Sequence, residues 1–134
     1  SLVYYPAGPS GDYDNDGKVD LFLINWFQGN HSRLLKNESG NGHWLDVRIV
    51  GSKVNRMGLG SQIRIYKPNK RGAGALLGFQ EMTIGYGYAS GQPAICHFGL
   101  ADQTLVDVEI RLPNGKKISL KGLETNQRVV AKEL

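Results

Sequence analysis

Residues 106–112 set the tightest limit on how this chain can fold. Val106, Val108, Ile110 and Leu112 are apolar and alternate with Asp107, Glu109 and Arg111. A period of two places all four apolar side chains on one face of an extended strand and would scatter them around a helix. Pro113-Asn114-Gly115 follows, and Ile118 and Leu120 resume the run. Asn-Gly between alternating runs is a strong hairpin signal. The same period recurs at Leu45, Val47 and Ile49 against Asp46 and Arg48, and at Ile63 and Ile65 against Gln62, Arg64 and Tyr66. Further strands are expected at residues 2–5, 21–24, 34–35, 76–84, 94–98 and 128–133. No window carries a 3.6-residue apolar period, and 18 glycines supply turns. The expected fold is all-β: an antiparallel β-sandwich, or a flattened barrel.

A second stretch is dense in chemistry. In GDYDNDGKVDLFLIN, residues 11–25, Asp12, Asp14 and Asp16 alternate, Gly17 follows, and Asp20 closes the set before an apolar run. Carboxylates so close together repel, and a hard dication removes the repulsion. Ca²⁺ takes six to eight oxygens, and a loop with side chains at positions 1, 3 and 5 and a carbonyl at position 7 supplies them. The expected ligands are Asp12, Asp14, Asp16, the carbonyl of Lys18, and Asp20 at position 9. Gly17 falls where the chain must turn sharply, with φ > 0 expected. The loop departs from an EF-hand, because position 12 needs a bidentate Glu and is Leu23. Residues 21–24 read as a buried strand rather than a helix, which makes the N-terminal element a calcium-loop hairpin. Asp, Asn and Gly also build ordinary turns without a metal.

The totals exclude several classes. With 134 residues the chain has room for one domain with a real core. No apolar run nears the roughly twenty residues of a membrane helix, so no membrane insertion is expected. No charged-then-apolar leader opens the sequence. The start at Ser1 suggests a processed form or a piece of a longer protein. Cys96, the only cysteine, lies in an apolar run and reads as a small buried hydrophobe. The net charge of +4 is a modest basic excess, carried partly by Lys67, Lys70 and Arg71 and by Lys116, Lys117 and Lys121. Each group could meet a polyanion, or could be solvated edge residues. No recognition motif accompanies them, and no nucleic-acid partner is expected.

The pattern D-x-D-x-D-G-x-x-D-L before a strand resembles the calcium-binding repeats called FG-GAP or VCBS. Such repeats come in series as propeller blades, and one is visible here, so the chain is not a propeller by itself. From about His43 the sequence resembles the ASPIC/UnbV domain. The stretches that carry this are HWLDVRIVGSKVNRMGLGSQIRI and QEMTIGYGYASGQPAICHFGLADQTLVDVEIRLPNGK. The order matches: HWL strand, N-R-x-G-x-G loop, G-Y-x-S loop, HFGL, and a V-D-V-E-I strand ending in P-x-G. Three positions depart from the family pattern. Ser61 stands where Ala is more usual, Ala101 where Gly usually follows HFGL, and Leu112 where Trp is common. The expected organisation is a calcium-binding segment over residues 1–42 packed on a sandwich over 43–134, as one compact unit. The resemblance implies a secreted or cell-surface protein, with other domains of a longer parent as partners.

The function expected is a non-catalytic, calcium-stabilised extracellular binding module with a glycan or polysaccharide as ligand. Sugars present apolar faces that sit on aromatic rings. Trp26 and Phe27 follow the calcium strand, Tyr86 and Tyr88 lie in a glycine-rich loop, and Arg56 could fork onto a carboxylate. These five are the candidate ligand residues, although aromatics can equally cap a core and Arg56 could pair with Asp102. The alternative is an adhesion or spacer domain that contacts other proteins, for which scattered aromatics would speak. No enzyme is expected: Glu81 and His97 form no recognised acid–base motif, and no second carboxylate is nominated.

Overall fold

A computed structural model describes residues 3–134. Among them every regular element is a strand, apart from one 3-10 turn at Ala73–Ala75. The chain divides into two units: residues up to Gly40 with Ile84–Pro93, and Asn41–Thr83 with Ala94–Leu134.

The first unit holds β1 (Ser10–Gly11), β2 (Asp20–Leu23) and β3 (Arg33–Leu35), paired antiparallel in that order. Gly11 opposes Asp20, so the aspartate-rich residues 12–19 form the loop of the expected hairpin. Of the edge strand expected over residues 2–5, Leu2 lies outside the described residues and Val3–Tyr5 enter no strand; the first pairing is the Ala7–Ile24 bridge. β2 is less buried than its apolar run suggests: Asp20 is buried, Phe22 is exposed, and Leu21 and Leu23 are half-buried. Three strands of two to four residues offer too little surface to cover both faces of the middle one.

The second unit carries β4 (Trp44–Val50), β5 (Gln62–Tyr66), β6 (Leu76–Glu81), β7 (Cys96–Gly99), β8 (Leu105–Arg111), β9 (Lys117–Glu124) and β10 (Gln127–Lys132). They form two sheets, β10-β4-β7 and β6-β5-β8-β9, around a single core. The alternating residues fill it as expected. Leu45, Val47, Ile63, Ile65, Val106, Val108 and Ile110 are fully buried, each worth about 1.5–3 kcal/mol relative to exposure. Cys96 joins them, and burial pushes its thiol up to about 11, so it packs as an inert hydrophobe. The fold is an all-β sandwich. One strand runs against expectation: β10 pairs parallel to β4, with Val129 opposite Val47. Alternation is identical for parallel and antiparallel neighbours, so the sequence pattern does not distinguish them.

Buried carboxylates tie the loops to this core. Glu133 Oε2 accepts the backbone N–H groups of Ser52, Lys53 and Val54 at 2.8–3.0 Å, and its Oε1 accepts from Asn114 Nδ2. The Val54 and Ser52 N–H bonds lower the Glu133 carboxyl from its ordinary 4.5 to about 2, against the opposing effect of burial. Asp107 similarly accepts from Gly122 N–H, Asn69 N–H and Arg71, which hold its carboxyl below the usual range.

Two of the three departures from the family pattern have local physical signatures. Ser61 is fully buried, and its Oγ is the one buried side-chain polar atom among the described residues with no hydrogen-bond partner. Ala101 sits at φ +49°, in the left-handed region that favours glycine. The family glycine of the N-R-x-G-x-G loop is also explained. Gly58 has φ +66°, and a Cβ there would lie 2.5 Å from Ile49 Cγ2.

An unpaired buried hydroxyl costs about 1–3 kcal/mol, so Ser61→Ala is expected to raise stability by about 1 kcal/mol in urea unfolding. Ala101→Gly should raise it by less, because glycine's freedom in the unfolded chain offsets part of the relief. A loss of stability in Ser61→Ala would mean that the hydroxyl has a partner. For Glu133 the folded pKa lies below the unfolded one. Its contribution is therefore complete above pH 4.5 and lost as pH falls towards about 2. The stability advantage of the wild type over Glu133→Gln should shrink across that window; a constant advantage would disprove the assignment.

Candidate functional site

The aspartate loop builds its shape from its own carboxylates. Asp12 accepts the N–H groups of Asp16 (3.0 Å) and Gly17 (2.8 Å), and Asp16 Oδ1 accepts that of Lys18 (2.9 Å). Gly17 turns the chain at φ +86°, as its position predicts, and Asn15 adopts φ +60°. Asp20, at the start of β2, is buried. Its two oxygens take the N–H groups of Tyr13 (3.2 Å) and Asn37 (2.8 Å).

One carboxylate oxygen each from Asp12, Asp14 and Asp20 lies within 4.8 Å of the other two. Oxygens around one Ca²⁺ at about 2.3–2.6 Å can stand roughly 4.6–5.2 Å apart, so this all-oxygen set has the size and hardness for that ion. Asp16 stands outside the trio, bonded to Lys18 N–H and 3.5 Å from the ammonium of Lys36. Lys18, half-buried, closes the loop through that N–H. A cation is already at hand: Lys36 Nζ donates to Asp14 Oδ2. That bond lowers the Asp14 carboxyl below its usual range and raises the Lys36 ammonium above its own. Lys36 escaped the sequence analysis because its role depends on register. Leu21 opposes Leu35 across β2–β3, which carries the next residue to the level of Asp20.

The candidate ligand aromatics fall in the same unit. Trp26 is 62% and Tyr88 63% exposed, with ring centroids 6.3 Å apart, although 62 positions separate them in the chain. Phe27, next to Trp26, lies 6.3 Å from Tyr4, which is also exposed. Asn25 shapes the first loop by donating to the carbonyls of Phe27 (2.6 Å) and Asn30 (2.9 Å). The second is a small hairpin closed by the Gly85–Gly91 bridge and the Gln92 N–H bond to Ile84 O (3.0 Å). Exposed Tyr86 and Tyr88 lie at its tip, around Gly87 at φ +93°. Tyr4 carried no sequence signal beyond being aromatic.

Arg56 lies in the second unit, and its exposed side chain has no ion-pair partner among the described residues. Asp102, the acid proposed for it, accepts from Gln103 instead, while Asn55 bonds Leu59 through both ends of its amide. His97, on β7, is satisfied at Nδ1 by Asp46 Oδ1 (2.7 Å) and stacks on Trp44. Burial of Asp46 favours its neutral form. The bonds from His97 and Arg128 outweigh this and hold the carboxyl below the usual range.

Comparison with known proteins adds two findings. The sequence model of one family, described as ASPIC and UnbV, matches residues 51–134. Among curated proteins, the human protein named cartilage acidic protein 1 is 27% identical over 122 residues. That alignment takes in 84% of this chain and 16% of the human protein, so the chain spans about one-sixth of that relative's length.

The loop makes a two-sided expectation for thermal melting. Calcium should raise the midpoint of the wild type and leave Asp14→Ala unmoved. Lys36→Met, which removes the internal counter-charge, should melt lower in chelator and gain more from calcium. Matching curves in calcium and chelator for all three proteins would leave Lys36, and no metal, as the counter-charge of Asp14.

Proposed function

The chain belongs to the ASPIC and UnbV family, and on that footing we propose that it is a non-catalytic, calcium-stabilised extracellular binding module whose ligand is a glycan. One observation carries this. Trp26 and Tyr88 converge from distant loops and remain exposed, and Phe27 with Tyr4 forms a second exposed pair in the same unit. Burying such rings would stabilise the fold, so exposed ring pairs suit a partner with apolar faces and spaced hydroxyls. Tyr86 borders the group in sequence. Convergence also separates this proposal from a spacer domain, for which scattered aromatics are the expected pattern.

In this proposal the aspartate hairpin is a calcium loop of FG-GAP/VCBS type, held by Asp12, Asp14 and Asp20. Bound calcium would neutralise carboxylates and stiffen the loop that leads into β2. Extracellular modules bind calcium at about 10⁻⁴–10⁻³ M. Free calcium some twentyfold above Kd then stabilises the folded state by about 2 kcal/mol. Among the described residues no helix is long and apolar enough to cross a membrane. The likeness to a cartilage-named human protein is consistent with a secreted or cell-surface setting.

The test is affinity electrophoresis against a panel of neutral plant and microbial polysaccharides, with calcium and with chelator. Retardation by one glycan class is expected, reduced at least tenfold in affinity by Trp26→Ala or Tyr88→Ala with the melting temperature unchanged. Failure of every glycan to retard the wild type would sink the proposal and favour protein partners.

A further inference from the structure

The second unit is far more basic than the chain as a whole. It holds thirteen of the sixteen Lys and Arg residues against seven of the twelve Asp and Glu. Three of those seven acids, Asp46, Asp107 and Glu133, are buried with their oxygens engaged internally. Asp107 and Asp46 offset Arg71 and Arg128, and the unit keeps a net charge of +6.

Part of the excess is ordered on one face. In the β6-β5-β8-β9 sheet the core takes Ile63, Ile65, Val106, Val108 and Ile110, so Arg64, Glu109 and Arg111 point away from it. Arg64 lies opposite Phe79, with its guanidinium carbon 4.7 Å from the ring centroid. Arg71 lies over Tyr66 in the same way, at 5.0 Å. Arg111 stands directly opposite Lys117 on β9. Like charges so placed destabilise a sheet. Glu109 relieves only Lys117, at 3.7 Å, and Arg111 has no ion-pair partner among the described residues. Lys121 is also unpaired; with Arg71, Asn69 and the neutralised Asp107 it lines a shallow depression. Glu81 on β6 and Glu124 at the end of β9 are the exposed acids on this face. Exposed Lys67 and Lys70 follow β5, and exposed Lys116 precedes β9.

We propose that this outer sheet face binds an anionic polysaccharide, one bearing sulfate or carboxylate groups, through Arg64, Arg111 and Lys121. Lys117 and Lys121 are four residues apart on one strand, about 13 Å, so the cations are spread as a polymer's charges are rather than gathered on a single anion. The guanidinium groups of Arg64 and Arg71 lie against the rings of Phe79 and Tyr66. Each guanidinium occupies one face of its ring, which restricts base stacking there and favours a sugar polymer over a nucleic acid. None of these residues belongs to the aromatic cluster.

The experiment is affinity electrophoresis of the full chain in dextran sulfate and in polygalacturonate, with neutral dextran as the blank, over a series of salt concentrations. At least one of the two anionic polymers should retard the wild type, and neutral dextran should not. The affinity should fall log-linearly with salt. Arg111→Gln should lower that slope by about one, and the triple variant Arg64→Gln, Arg111→Gln, Lys121→Gln should weaken binding at least tenfold. Arg48→Gln, whose exposed side chain lies on β4 in the other sheet, should bind as the wild type does. Far-ultraviolet circular dichroism confirms that each variant is folded. Retention of full binding by the triple variant would overturn the proposal. So would the failure of both anionic polymers to retard the wild type, or tighter binding at matched salt of a single-stranded or duplex oligonucleotide.

Discussion

The sandwich depends on burying two sets of alternating apolar side chains against each other. Leu45, Val47 and Ile49 project from β4, and Ile63, Ile65, Val106, Val108 and Ile110 project from the facing sheet. Once these point inward, every intervening residue must point outward, because successive side chains on a strand take opposite faces. Asp46, Arg64, Asp107, Glu109 and Arg111 thus owe their orientation to their neighbours' hydrophobicity. The outer faces, with their charge and their stacked guanidinium groups, are a geometric consequence of the core.

Such a core leaves long connections to be secured, and here carboxylates do it. Asp107 gathers Asn69, Arg71 and Gly122, and Glu133 gathers three consecutive N–H groups of the 52–54 loop. Charge-assisted bonds to backbone N–H are stronger than neutral ones, and they satisfy donors that strand pairing leaves over. The consequence for recognition is indirect. Asp107 still offsets Arg71, whereas Glu133 is spent on backbone N–H groups and Asn114 and has no ion-pair partner among the described residues, so it leaves the unit's other cations unpaired.

The aspartate hairpin solves a different electrostatic problem in the first unit. Asp12, Asp14, Asp16 and Asp20 share a small volume, relieved within the chain by backbone N–H groups and by Lys36. One ammonium against four carboxylates leaves a net negative site. That residue of charge, together with the all-oxygen donor set, is why a divalent cation suits the loop. Lys36 also implies competition, since the metal and the ammonium would share Asp14.

From local pattern alone the chain reveals its strand content, the Asn114-Gly115 hairpin, the inward residues, the glycine turn at Gly17 and the family pattern over most of its length. All of these rest on interactions between near neighbours, on backbone dihedral preference, or on a period of two. Other features needed the third dimension. The parallel course of β10 beside β4, the meeting of Trp26 with Tyr88, and the arrival of Lys36 at Asp14 each join segments far apart in sequence. Strand pairing order and register create those meetings, and alternation is blind to both. The same holds for Ala101 and Ser61. Their departures from the family were visible as letters, but only the backbone angle at one and the sealed hydroxyl at the other give them a physical meaning.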